Sequence, residues 1–283
     1  MRCMKPLITG LLSVILGGTA FAATYASDNY TDATVAPDGT TMANTEAPGV
    51  GSYRRVFDGG STYAVGTVDG FGSGNVMTLT DGNSTHVRTL NSSTGTSLSA
   101  LGVGSVVGMS FDMRLAGTLA ESRSFSFGFL NDVSATQSSI AYALVGAAGG
   151  EFKRRNTSWN MSTSNNDGGG RAGATFTGGG LAVDTNYTMR FTITKESGGL
   201  YTLRYFQSVD GGEETMIVET ASSLTTTVTG REITAVGLRW SETPGVVTYI
   251  DNLVMTVDAV PEASSAALVM AAGMAGLLRR RRR

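Results

Sequence analysis

Tyr187-Thr188-Met189-Arg190-Phe191-Thr192-Ile193-Thr194, then Glu196-Ser197-Gly198-Gly199, then Leu200-Tyr201-Thr202-Leu203-Arg204-Tyr205-Phe206-Gln207-Ser208, is the stretch that decides the fold class. Tyr187, Met189, Phe191 and Ile193 alternate with Thr188, Arg190, Thr192 and Thr194, the period-two pattern of a strand with one packed face. The polar, glycine-bearing turn joins it to a second strand, predicted over 200–208, as a hairpin. Asp210-Gly211-Gly212 makes the next tight turn, because glycine accepts the positive φ that such turns demand. A strand over 215–220 then returns antiparallel, and the three neighbours form a meander.

The same alternation recurs on both sides. Over 122–130, Phe125, Phe127 and Phe129 share one face, with Ser124, Ser126 and Gly128 on the other. Further strands are predicted at 53–57, 63–68, 76–80, 106–115, 140–145, 233–240 and 246–257, a spacing that suits a sandwich. With 38 glycines and only 16% charged residues, the 283-residue chain reads as all-β, built from short strands joined by turns. The expectation is a single antiparallel β-sandwich, jelly-roll-like, over 23–258. The glycine-rich loops at 168–170 and 178–180 bring no composition shift that would mark a boundary. Residues 27–49 read either as a segment without fixed structure or as an edge strand.

The ends read differently. Residues 1–22 carry Arg2 and Lys5, an apolar stretch over 7–18 and then Ala20-Phe21-Ala22, with small residues at both recognition positions of a signal peptidase. A signal helix that hands the chain to the secretion translocon and is cut after Ala22 is expected. At the other end Val260-Pro261-Glu262-Ala263 precedes an apolar run over 266–278 and then Arg279, Arg280, Arg281, Arg282 and Arg283. That run forms a helix of about 20 Å, short for a hydrocarbon core of roughly 30 Å. The arginines act as a membrane stop that holds the end in the cytoplasm and leaves the body outside.

Pro-Glu, a short apolar helix and a terminal arginine cluster, in that order, resemble the sorting signal of the PEP-CTERM family. Ala263 stands where the commonest form has a second proline. The resemblance implies that residues 259–283 are recognised by a membrane exosortase and cut near Pro261-Glu262, sending the body to the cell surface or the exopolysaccharide matrix. Val247-Thr248-Tyr249-Ile250-Asp251-Asn252-Leu253-Val254-Met255 resembles the closing strand of concanavalin-A-like jelly rolls. That second resemblance implies Asp251 as a ligand of a structural calcium, while the plainer reading has Asp251 and Asn252 ending a strand face or bonding a neighbouring loop.

The chemistry-bearing residues are few. Of the 21 basic residues, seven (Arg2, Lys5 and Arg279 to Arg283) lie in the two end segments, as does Glu262 among the 23 acidic ones. Removing them leaves 14 against 22, a charge of −8, which argues against nucleic acid as a partner. Cys3 is the one cysteine and sits in the leader, so disulfides and thiolate sites are excluded from the mature body. His86 is the one histidine and falls in a polar turn over 81–86, which removes paired-histidine zinc sites. Gly102-Val103-Gly104-Ser105-Val106 lacks the Lys-Ser/Thr ending of a phosphate loop and reads as a turn before a strand.

Glu213 and Glu214, adjacent beside a turn, point apart and read as a solvated edge rather than a glycosidase pair. Asn165-Asn166-Asp167-Gly168 offers Asn165 and Asp167 as oxygen ligands for calcium, or else is an ordinary loop. Trp159, in a polar stretch, is the candidate sugar-stacking residue. Trp240 at a strand end reads as core, and Tyr201 and Tyr205 share one strand face. No catalytic set can be assigned. The expected function is noncatalytic display at the surface, with exopolysaccharide as the ligand. The alternative is a glycoside hydrolase or lyase on the same fold.

Overall fold

The computed structural model describes residues 23–28, 34–35, 41–43, 50–55, 62–80, 86–120, 124–131, 138–154, 171–222, 232–240 and 245–260. The strands in chain order begin with β1 (Ala23–Asp28), β2 (Thr34–Val35), β3 (Thr41–Ala43), β4 (Val50–Arg55), β5 (Thr62–Val68) and β6 (Phe71–Thr80). They continue with β7 (His86–Ser97), β8 (Val106–Gly117), β9 (Ser124–Asn131), β10 (Ser138–Gly146), β11 (Gly149–Arg154) and β12 (Arg171–Thr177). The last are β13 (Asn186–Lys195), β14 (Tyr201–Val209), β15 (Thr215–Ser222), β16 (Glu232–Trp240) and β17 (Val246–Asp258).

One sheet runs β15-β14-β13-β8-β17-β6-β5, with β1 also pairing β17, and the other runs β12-β11-β10-β9-β16-β7-β4-β3-β2. All the pairings are antiparallel. The chain passes between the sheets from β1 to β2, β4 to β5, β6 to β7, β7 to β8, β8 to β9, β12 to β13, β15 to β16 and β16 to β17. The fold is therefore all-β in two antiparallel sheets, as the alternation predicts. Among the described residues no helix is long and apolar enough to cross a membrane. The signal helix and the C-terminal helix expected from the sequence lie outside the described residues.

Alternation positions the core directly. Tyr187, Met189, Phe191 and Ile193 of β13 face Phe125, Phe127 and Phe129 of β9 in one cluster, all of them buried. Phe127 is its hub: its ring lies 5.2 Å from Phe111, 5.6 Å from Tyr205 and 6.4 Å from Phe191, each edge to face. That orientation sets the positive edge of one ring on the negative face of the next. Tyr201 and Tyr205 point into this core and not to the surface.

The meander β13-β14-β15 forms as predicted, with Asp210 at φ 50° and Gly211 at φ 73° in its second turn. The segment 27–49 contributes β2 and β3 at the edge of the second sheet. Three features depart from the sequence reading. His86 opens β7 opposite Trp240 instead of lying in a turn. Strands β1, β7, β11 and β12 are not predicted by the sequence, because small, polar and charged residues leave no clear period there. Strand β17 is not evenly alternating: Ile250 and Leu253 both face the core, three residues apart. An extra residue is absorbed there by a bulge between Asp251 and Val254, with Asn252 at φ 50°. The bulge flips the phase so that Met255 and Val257 again point inward.

Candidate functional site

The bulge places Asp251 and Asn252 beside Asp112 of β8, with which Asp251 is in register. Asn252 spans the two carboxylates: its backbone N–H donates to Asp251 Oδ1 at 2.8 Å and its Nδ2 to Asp112 Oδ2 at 2.7 Å. From the other side Thr188 of β13, in register with Asp112, donates its hydroxyl to Asp112 Oδ1 at 2.6 Å. Asp112 thus has a charge-assisted donor on each oxygen. Asp251 is 2% exposed and is packed against Gly72.

The turn from β5 into β6 closes the site. Arg114, one pleat on from Asp112, donates Nη1 to the carbonyl of Asp69 at 3.2 Å and pairs through Nη2 with Asp184 at 3.6 Å. Asn186 Nδ2 reaches the carbonyl of Gly70 at 3.5 Å, while its backbone exchanges hydrogen bonds with Asp210. The Asn186 Oδ1 atom is buried with no donor among the described residues.

These elements enclose a groove of about 170 Å³ lined by Gly70, Phe71, Gly72, Asp112, Asn186, Tyr187, Thr188 and Gly211. Its polar groups suit hydroxyl ligands: the Asp112 carboxylate and the Asn186 Oδ1 accept, the second N–H of the Asn186 amide donates, the Thr188 hydroxyl is left as an acceptor, and the rings of Phe71 and Tyr187 form the margins. Asp112 is the one acidic side chain in its lining. Asp69, Asp184 and Asp210 border it, and Arg114 bonds to Asp69 and Asp184 there, so among the described residues acidic groups outnumber basic ones around the groove.

Further along β13, Arg190 forms a bidentate pair with Glu214, Nε to Oε1 at 2.8 Å and Nη2 to Oε2 at 2.5 Å, with its guanidinium 3.6 Å above the Phe206 ring. The hydrogen bonds from Arg190 hold the Glu214 carboxyl below its ordinary range, against a smaller opposing push from burial. Glu213 and Glu214 are exposed at the hairpin edge, as the sequence suggests, and Glu214 is tied there to Arg190. Burial pushes the Tyr205 hydroxyl far above the usual phenol range, with Tyr187 adding to the effect.

Of the residues singled out by sequence, the structure places Asp251 in the bulge behind the groove. Among the described residues no group of three or more His, Cys, Asp or Glu is placed to hold a metal ion. Val260 is held against the turn before β8, as set out below. Trp240 closes β16. Trp159, Asn165, Asp167, Ala20, Ala22, Pro261, Glu262, Ala263 and Arg279 to Arg283 lie outside the described residues. Asp112, Asn186 and Thr188 escaped notice. The available signal was a lone acid, Asp112, on the polar phase of the apolar run Phe111, Met113 and Leu115.

The sequence matches no protein-family model and no curated protein. Solved structures do match. A conserved carbohydrate esterase of the Shiga toxin-encoding bacteriophage phi24B is 13% identical, over 84% of this chain and 100% of that one, at a TM-score of 0.46. An endo-β-1,4-glucuronan lyase of the fungus Trichoderma reesei is 10% identical over 72% and 89%, at 0.45. The seed lectin of Lotus tetragonolobus is 10% identical over 74% and 99%, at 0.43. Likenesses this distant carry neither ligand nor activity, and the sandwich assignment rests on the strand register.

Proposed function

We propose that the chain is an exported protein, sorted through its C-terminal segment by an exosortase, whose jelly-roll-like sandwich is displayed at the cell surface or in the extracellular matrix. There it binds a neutral polysaccharide in the groove beside Asp112, without turning it over. The observation that carries the binding reading is Asp112 itself, the one acid lining the groove, with one oxygen held by Thr188 and the other by Asn252. A carboxylate so held is fixed as an acceptor for sugar hydroxyls. Retaining glycosidases instead set two carboxyl groups about 5 Å apart across the scissile bond. The acidic surround favours neutral sugars over uronates. Export is supported by the signal-peptide pattern over 1–22 and by the order of the tail motifs.

Incubating the protein with neutral glucans and with polyuronates, and measuring both retention on the polymer and release of reducing ends, tests the reading. Retention on neutral polymer with no new ends is expected. A second reading, an extracellular polysaccharide-degrading enzyme, is favoured by the register that sets Asp251 opposite Asp112. Release of reducing ends that stops in Asp251→Asn would replace the first reading by the second.

A further inference from the structure

Val260 is the last described residue, two beyond the end of β17, and both of its backbone groups are taken. Its N–H donates to Ser105 Oγ at 2.8 Å, and its carbonyl accepts the Gly102 N–H at 3.2 Å and the Ser105 hydroxyl at 3.4 Å. Ser105 is fully buried. Burying a hydroxyl is unfavourable unless it is hydrogen-bonded, and Val260 both donates to it and accepts from it.

The turn that presents Ser105 is itself fixed. Ser105 N–H donates to Gly102 O at 3.1 Å, Gly104 N–H to Lys195 O at 2.7 Å and Lys195 N–H to Ser105 O at 2.9 Å. The Lys195 ammonium donates to the carbonyls of Ser99 and Leu101, and Leu98 and Leu101 anchor the turn in the core. Asp258 pairs with Val106 at the end of the ladder, so Val260 continues the ladder's line onto a preformed seat. The seat adjoins the Lys195 end of β13, whereas the groove lies at the Asn186 end, about 30 Å away along the strand.

We infer that Ser105 and Gly102 form a latch for Val260 that sets the C-terminal boundary of the mature body, so that the bond broken on removal of the tail lies on the C-terminal side of Val260. The inference rests on reading 260–283 as a sorting signal. Cleavage passes the acyl carbon of the broken peptide bond to water and releases the tail with a free amine. An enzyme that cuts a peptide in extended form must first gain its backbone, and the N–H and C=O of Val260 are already engaged.

The test uses the full chain in detergent micelles, as wild type, Ser105→Ala, Val260→Pro and Ser99→Ala. Val260→Pro deletes the donor without touching the buried serine, and Ser99→Ala alters an exposed serine of the same loop. Exhaustive digestion with a nonspecific protease, followed by intact mass, should give a core ending at or beyond Val260 for wild type and Ser99→Ala. For Ser105→Ala and Val260→Pro it should end at or before Asp258. Exchange of the Val260 amide in Ser105→Ala should be about tenfold faster or more than in wild type. Identical cores and identical Val260 exchange in wild type and Ser105→Ala would overturn the latch. The sorting reading is judged separately: mature protein from the host envelope whose mass still includes Arg283 defeats it, whatever the protease result.

Discussion

Replacing Gly72 by alanine probes the junction on which the groove depends. Gly72 sits at φ 72°, and a Cβ there would stand 2.7 Å from Val76 Cγ1 and 2.8 Å from Asp251 Oδ2. Left-handed backbone costs a non-glycine residue about 1–2 kcal/mol, and forcing a methyl group into a packed site costs about 1–3 kcal/mol. Together these give roughly 2–5 kcal/mol, a fall in melting temperature of about 4–20 °C for a domain of this size. The only relief is displacement of Asp251 or Val76, and either movement shifts the groove wall. The control is Gly66→Ala in β5, where a Cβ meets nothing within 4 Å. Thermal unfolding followed by circular dichroism compares the two. A Gly72→Ala protein that melts within about 2 °C of both wild type and Gly66→Ala would refute the packing argument and the position of Asp251 that it rests on.

Tyr205→Phe removes a buried hydroxyl that finds no partner among the described residues, so the melting temperature should hold or rise, and a clear fall would reveal a missing partner. Glu214 has its folded-state pKa lowered, so the stability it adds is present above the ordinary carboxylate range and is lost as pH falls through the folded value. Melting curves across acid pH should show wild type above Glu214→Gln near neutrality and the two converging in acid, and a constant gap would contradict the role of Arg190. Calcium at about 1 mM should move the melting temperature by less than about 2 °C, because Asp112 and the Oδ1 of Asp251 already have donors. A larger rise would show that the protein binds the ion, and its loss in Asp251→Asn or in Asp167→Asn would tell which site holds it.

Legibility followed the physics of each element. Strands with one apolar and one polar face, such as β9 and β13, announce themselves by period, and their register followed from glycine turns whose φ only a few residues tolerate. The bulge in β17 stayed hidden because Val246–Asp258 contains enough apolar residues to satisfy either phase, and only the partner strand β8 selects one. Strands β11 and β12 were lost for the opposite reason, since glycine and charge leave no period to read. The groove was invisible because its residues come from the β5–β6 turn, β8, β13 and the turn after β14, far apart in sequence and joined only by register. Tyr201 and Tyr205 show the limit of face counting: alternation says that two tyrosines share a face, and only packing says that the face is the core.

The proposed binding of neutral sugar hydroxyls at Asp112 is checked by titrating the intact protein with neutral and uronate oligosaccharides in a calorimeter, for wild type and Asp112→Asn. Saturable heat with a neutral oligosaccharide alone, weakened about tenfold or more in Asp112→Asn, is the result this account predicts. Equal binding by wild type and Asp112→Asn, or preference for the uronate, would contradict it.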